Sequence, residues 1–152
     1  MIEITKATLN DVAEMQNLVR PEVVNGIILP RSDDEVANTI RSYIVAREDG
    51  KIVGFCALYI FDTSLGEIRS LIVHSDFRGK GIGEQIITQT LKEGKELGLS
   101  RILALTYKRE FFKKLGFIEV QKEEIPDQKI WMDCIKCKHF PICDEIAMTR
   151  AL

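Results

Sequence analysis

The chain has 152 residues, 45% of them apolar and 29% charged, enough for one globular domain with its own core. A formal net charge of −2 gives no electrostatic basis for holding nucleic acid. No apolar run approaches the roughly 20 residues of a membrane-spanning helix, and the polar opening "MIEITKATLND" is not a signal peptide, so a soluble, cytoplasmic protein with no nucleic-acid or membrane partner is expected.

In chain order, "IEITKAT" reads as a strand. "NDVAEMQNLVR" opens with the cap residues Asn10 or Asp11 and repeats Val12, Met15, Leu18 and Val19 at helical spacing. A loop carrying Pro21, Gly26 and Pro30 follows, and Ser32 with Glu35 three residues later forms the capping-box pattern of a second helix through Val36 and Ile40. "YIVAREDGKIVGFCALYIF" is two apolar runs joined by Asp49-Gly50, a hairpin. "GEIRSLIVH" becomes nearly continuous in apolar residues, as a buried central strand does. Ile82, Ile86, Ile87, Leu91 and Leu97 then mark a helix of about four turns closed by Gly98. "RILALTY" is a strand, "KREFFKKLGF" a short amphipathic helix, and "FIEV" and "QKIWMD" are the last strands. The order β-α-α-β-β-β-α-β-α-β-β, with one strand–helix–strand unit over residues 68–107, predicts an α+β or mixed α/β sheet with one central crossover.

Between the buried strand and its helix lies Arg78-Gly79-Lys80-Gly81-Ile82-Gly83. Glycines let successive amides converge, and the first helical turn leaves its N–H groups without partners, so the segment is an anion site. It is not the mononucleotide P-loop, which needs Gly-Lys-Ser/Thr after four residues. Nor is it the dinucleotide pattern, because Glu84 and Ile86 fall where the third glycine belongs.

The remaining pattern, Arg-x-x-Gly-x-Gly after a strand, resembles the acetyl-CoA loop of the GNAT acetyltransferases. "LIVHSDFRGKGIGEQII" is similar to the strand, loop and helix of that family, and "FFKKLGF" to its later helix-to-strand element. The resemblance covers nearly the whole chain. It implies one acetyltransferase domain over residues 1–152, with a six- to seven-stranded, mostly antiparallel sheet and about four helices. It further implies that Leu71, Ile72 and Val73 offer their backbone to the pantetheine arm. Arg78, Gly79, Lys80, Gly81, Ile82, Gly83 and Glu84 would hold the pyrophosphate, and Phe112 would lie along the cofactor.

An ammonium group cannot attack a thioester, so such an enzyme needs a base within reach, and the resemblance points to Glu67. A tyrosine that protonates the departing thiolate in many members is replaced here by the run Phe111-Phe112-Lys113-Lys114. Tyr107, just upstream, is the nearest hydroxyl. "GIILPRSDDEV" and "GEIRSLIVHSDFRGKGIGE" resemble segments of N-acetylglutamate synthase acetyltransferase domains, and "KIWMDCIKCKHFPICDEIAM" resembles the ending of their short forms. This implies acetylation of L-glutamate, the first step of arginine biosynthesis, by direct attack in a ternary complex. The chain has no space for the kinase-like domain that carries arginine inhibition in long forms, so feedback by that route is not expected.

Glutamate presents two carboxylates, which guanidinium forks suit. Arg31 and Arg69 are the candidates, with Lys108 as a helper. Strand alternation places Arg69 on the face of Glu67 and Ser70 on the other, which favours Arg69. Two alternatives remain: a GNAT enzyme for another amine, and a non-catalytic CoA-binding module. By analogy alone a homodimer is expected. Cys134, Cys137, His139 and Cys143 crowd a tail starting near residue 129. Four ligands within ten residues lack the two separated hooks of a structural zinc site, so no metal is assigned.

Overall fold

Asp49 and Gly50 both take left-handed backbone, with φ of 52° and 80°. That is the pair of positive angles a two-residue hairpin turn needs to match the twist of its strands. It joins β2 (Tyr43–Glu48) to β3 (Lys51–Ile60), with Glu48 opposite Lys51. The computed structural model describes residues 1–121, 124 and 145–152. The remaining elements are β1 (Ile2–Lys6), α1 (Val12–Val24), α2 (Asp33–Asn38), β4 (Leu65–Val73), α3 (Ile82–Leu97), β5 (Arg101–Thr106), α4 (Arg109–Lys114), β6 (Ile118–Val120) and β7 (Ile146–Ala151). The strands form a seven-stranded mixed sheet in the order β1-β2-β3-β4-β5-β7-β6, as the sequence pattern and the resemblance predicted.

The chain divides into two compact units, Met1–Leu58 with Arg69–Thr90 and Tyr59–Ile68 with Leu91–Leu152. In the first, β1 pairs antiparallel with β2 from Ile2 opposite Glu48 to Lys6 opposite Ile44. Met15, Val19, Val36, Tyr43, Phe55 and Ile72 pack into one buried cluster. The predicted capping box of α2 is present: Ser32 N donates to Glu35 Oε1 at 3.0 Å, and Glu35 N to Ser32 Oγ at 3.1 Å. Asp11 borders α1 as expected, but its carboxylate turns backwards. Oδ2 accepts from Thr8 N at 2.8 Å and from Arg47 Nη2 at 2.8 Å, tying the helix entry to β2.

In the second unit, β4 pairs in parallel with β5 from Leu65 opposite Arg101 to Ile68 opposite Ala104. β7 lies antiparallel to β5 and also carries β6. The sequence reading placed its last strand at "QKIWMD" and gave no strand to Ile146–Ala151, so β7 is an addition to it. The segment inserts between two strands that precede it in sequence, a non-local pairing that local pattern does not encode. The predicted strand "QKIWMD" and the cysteine tail, including Cys134, Cys137, His139 and Cys143, lie outside the described residues.

Candidate active site

The first unit carries the glycine loop. β4 ends at Val73, a single turn over Ser75–Phe77 follows, and α3 begins at Ile82. Gly79 and Gly81 both have φ of 78°. A Cβ on either would meet nothing within 4 Å, so the requirement for glycine is backbone conformation and not space. Gln85 N donates to Gly81 O at 3.1 Å, so the amides of Ile82, Gly83 and Glu84 precede the first bond of the helix and point out of its N-terminus. Ile82, Ile86 and Ile87 are buried and fix the helix; Gly83 is half-buried, and Glu84 is exposed.

The two cations of the loop are already engaged with the protein. Arg78 Nε donates to Val73 O at 2.9 Å, and Nη2 lies 3.6 Å from Glu22 Oε1 on α1. Lys80 Nζ sits 5.3 Å from the centroid of the Phe77 ring. Of the three strand residues expected to flank a pantetheine arm, Ile72 is buried, while Leu71 and Val73 are half-buried.

The same unit holds a small hollow, open to solvent. Arg31, Gln16, Tyr43 and Ser70 are its polar walls, and Met15 and Phe55 lie among its apolar ones. Tyr43 is buried, with its ring edge-on to Phe55 at 5.9 Å. Burial raises the pKa of its phenol above the ordinary value, against the opposing pull of the Arg31 and Arg69 guanidinium charges, so the hydroxyl stays neutral. Both predicted acceptor arginines therefore act on one buried phenol.

Ser70 breaks the regular strand geometry that alternation assumes. It has φ of 57° inside β4, a conformation uncommon for a residue with a side chain, so the pleat is interrupted after Arg69. The serine that alternation set aside lies on the wall of the hollow. Sequence reading also passed over Tyr43 and Gln16. Nothing in their immediate sequence separates Tyr43 from a strand's opening residue, or Gln16 from a polar helix face.

In the second unit, Glu67 is buried at 1% exposure within β4, opposite Leu103 of β5. A glutamate is seldom fully buried; this one is. Tyr107 follows β5 and is 42% exposed. Lys108 is exposed at the start of α4, and its amide donates to Thr106 Oγ1 at 2.8 Å. Phe112 is buried, with its ring 5.1 Å from both Phe111 and Phe117, so it is a packed wall of α4. Among the described residues no group of three or more His, Cys, Asp or Glu side chains is placed to hold a metal, and no helix is long and apolar enough to cross a membrane.

Left-handed glycines, outward-facing amides and two loop cations suit a diphosphate, so fold and loop define a domain that binds a diphosphate-bearing cofactor. The model of the acetyltransferase (GNAT) family matches residues 10–117. The chain belongs to that family and is an acetyl-CoA-dependent N-acetyltransferase of GNAT fold. It is 37% identical over 149 residues to an uncharacterized N-acetyltransferase of Chlorobaculum tepidum, covering 98% of this chain and 96% of that one. The amino-acid acetyltransferase of Escherichia fergusonii is 30% identical over 129 residues, 84% of this chain. The chain spans only 29% of that relative's length. Among solved structures, N-acetylglutamate synthase of Neisseria gonorrhoeae complexed with coenzyme A and N-acetyl-glutamate matches with a TM-score of 0.90 at 27% identity, covering 100% of this chain and 35% of that one. A Mycobacterium tuberculosis protein in complex with CoA matches with a TM-score of 0.85 at 25% identity, over 99% of each chain.

Proposed function

We propose that residues 1–152 form one acetyltransferase domain that moves the acetyl group of acetyl-CoA onto the α-amino group of L-glutamate, the first step of arginine biosynthesis. The observation that carries this reading is the hollow walled by Arg31, Tyr43 and Ser70, in the same unit as the glycine loop and the Arg69–Val73 stretch of β4. A cationic wall above apolar residues suits an amino acid with a carboxylate at the end of an aliphatic stem. The likeness to amino-acid acetyltransferases and to an N-acetylglutamate synthase supports the same acceptor.

When bound, acetyl-CoA supplies the thioester carbonyl that a free amine attacks. The loop from Arg78 to Glu84 holds the diphosphate through its amides, and Leu71, Ile72 and Val73 offer main-chain groups to the pantetheine arm. Phe112 backs the cofactor as a fixed ring. Arg31 and Arg69 bind the acceptor carboxylates, with Lys108 assisting, while Glu67 removes the proton of the ammonium group directly or through one water. Tyr107 is the hydroxyl available to the departing thiolate, and the low basicity of a thiolate makes that assistance small.

The test is thiol release from acetyl-CoA across the amino acids. Glutamate should give the highest kcat/KM. Equal rates with glutamine, which lacks the side-chain carboxylate, would overturn the assignment of glutamate, and no turnover on any amino acid would move the acceptor to another class of amine.

A further inference from the structure

Arg31 stands near the end of the loop that joins α1 to α2. The start of this loop is fastened to α1 by main chain, with Ile27 N donating to Glu22 O at 2.9 Å and Ile28 N to the same oxygen at 3.3 Å. Its far end is also tied to α1, through a side chain. Gln16, on α1, donates from Nε2 to Arg31 O at 2.7 Å and to Asp33 Oδ1 at 3.1 Å. A carboxamide has two N–H groups, and both are used here, one on each side of Ser32. The same side chain lines the hollow beside Arg31.

A guanidinium on a long, rotamer-rich side chain selects a carboxylate only if the backbone beneath it is held. We propose that Gln16 is a positioning residue: by gripping the Arg31 carbonyl and the Asp33 carboxylate it fixes the backbone under Arg31, and acceptor affinity depends on that grip. The inference rests on the hollow being the acceptor site. Gln16 Nε2 binds the loop and not the acceptor, so its loss acts through Arg31 and leaves the diphosphate loop unchanged.

Gln16→Met keeps the length of the side chain and removes both donors. It should raise the KM for glutamate about tenfold, the scale set by loss of a hydrogen bond or two, with kcat and the KM for acetyl-CoA within about twofold. Arg31→Ala should raise the same KM at least as far, and the double variant should be no worse than Arg31→Ala alone. If the methionine variant folds poorly, Gln16→Leu removes both donors without adding a charge and should show the same selective rise. An unchanged acceptor KM in a folded variant, full additivity with Arg31→Ala, or an equal rise in the KM for acetyl-CoA overturns the proposal. If Arg31→Ala itself leaves the acceptor KM unchanged, the reading of the hollow falls, and the role of Gln16 with it. If the protein acetylates a different carboxylate-bearing amino acid, only the identity of glutamate falls, and the same cycle is read on that acceptor.

Discussion

The Arg78 guanidinium reaches back from the glycine loop to α1, where Nη2 lies 3.6 Å from Glu22 Oε1. Its Nε also donates to Val73 O, so in this structure Arg78 joins the loop to the protein. The anion cradle is therefore mainly main chain. Half-exposed ion pairs of this kind contribute little, so Arg78→Ala should cost about threefold in CoA affinity, falling further with added salt. Gly81→Ala forces a side chain into left-handed backbone at roughly 1–2 kcal/mol and should cost about tenfold. Titration calorimetry with CoA at two salt concentrations separates them. A larger loss in Arg78→Ala than in Gly81→Ala would show that the arginine, and not the amides, holds the diphosphate.

Glu67 is almost fully buried in β4, two residues before Arg69. Burial of a carboxylate on a strand is costly unless the group is paired or hydrogen-bonded. Glu67→Gln keeps shape and burial while removing the proton acceptor. It should lower kcat by about 100-fold or more with the affinity for acetyl-CoA retained. A loss of only twofold would reduce Glu67 to an acceptor-positioning group.

Locally encoded elements were legible: the Asp49-Gly50 turn, the Ser32–Glu35 capping box, and α3 with its buried isoleucines. Each depends on residues within one turn or one hairpin. The glycine loop was equally legible, because left-handed backbone and an open helix start leave a composition signature. What escaped was non-local. β7 slots between β5 and β6, a choice made by three strands together. Ser70 adopts positive φ without being glycine and lines the hollow, neither of which alternation reports. Gln16 bonds the Arg31 carbonyl fifteen residues away, and no periodicity reports that pairing.

Asp11 and Arg47 form a largely buried pair at 2.8 Å. Burial alone raises the pKa of the Asp11 carboxyl, but the Thr8 amide and the Arg47 guanidinium outweigh it, and the group titrates below the ordinary carboxylate value. A carboxylate depressed on folding adds stability that is fully present above its unfolded value of about 3.9 and is lost as pH falls through the folded value. Asp11→Asn should thus cost about 2 kcal/mol at neutral pH, from the lost ion pair with Arg47 and the weakened bond from the Thr8 amide. The difference from the parent should shrink below pH ~4. Urea unfolding at pH 7 and near pH 3 measures it, and an equal penalty at both would rule out the carboxylate charge as its source.

Gly54 of β3 packs directly against the β4 main chain at Ile72. A Cβ there would lie 2.8 Å from Ile72 O and 3.0 Å from Ile86 Cδ1. The isoleucine methyl can move, but the Ile72 carbonyl belongs to β4 and shifts only with the strand. Gly54→Ala should therefore destabilise by about 2 kcal/mol, lowering Tm by roughly 6 °C, and displace the main chain that is proposed to face the pantetheine arm. Gly50→Ala is the control: its Cβ meets nothing within 4 Å, so the strain of its positive φ costs about 1 kcal/mol at the hairpin alone. The KM for acetyl-CoA should rise severalfold in Gly54→Ala and stay unchanged in Gly50→Ala. If both variants lose stability and neither changes that KM, the Ile72 main chain does not contact the cofactor.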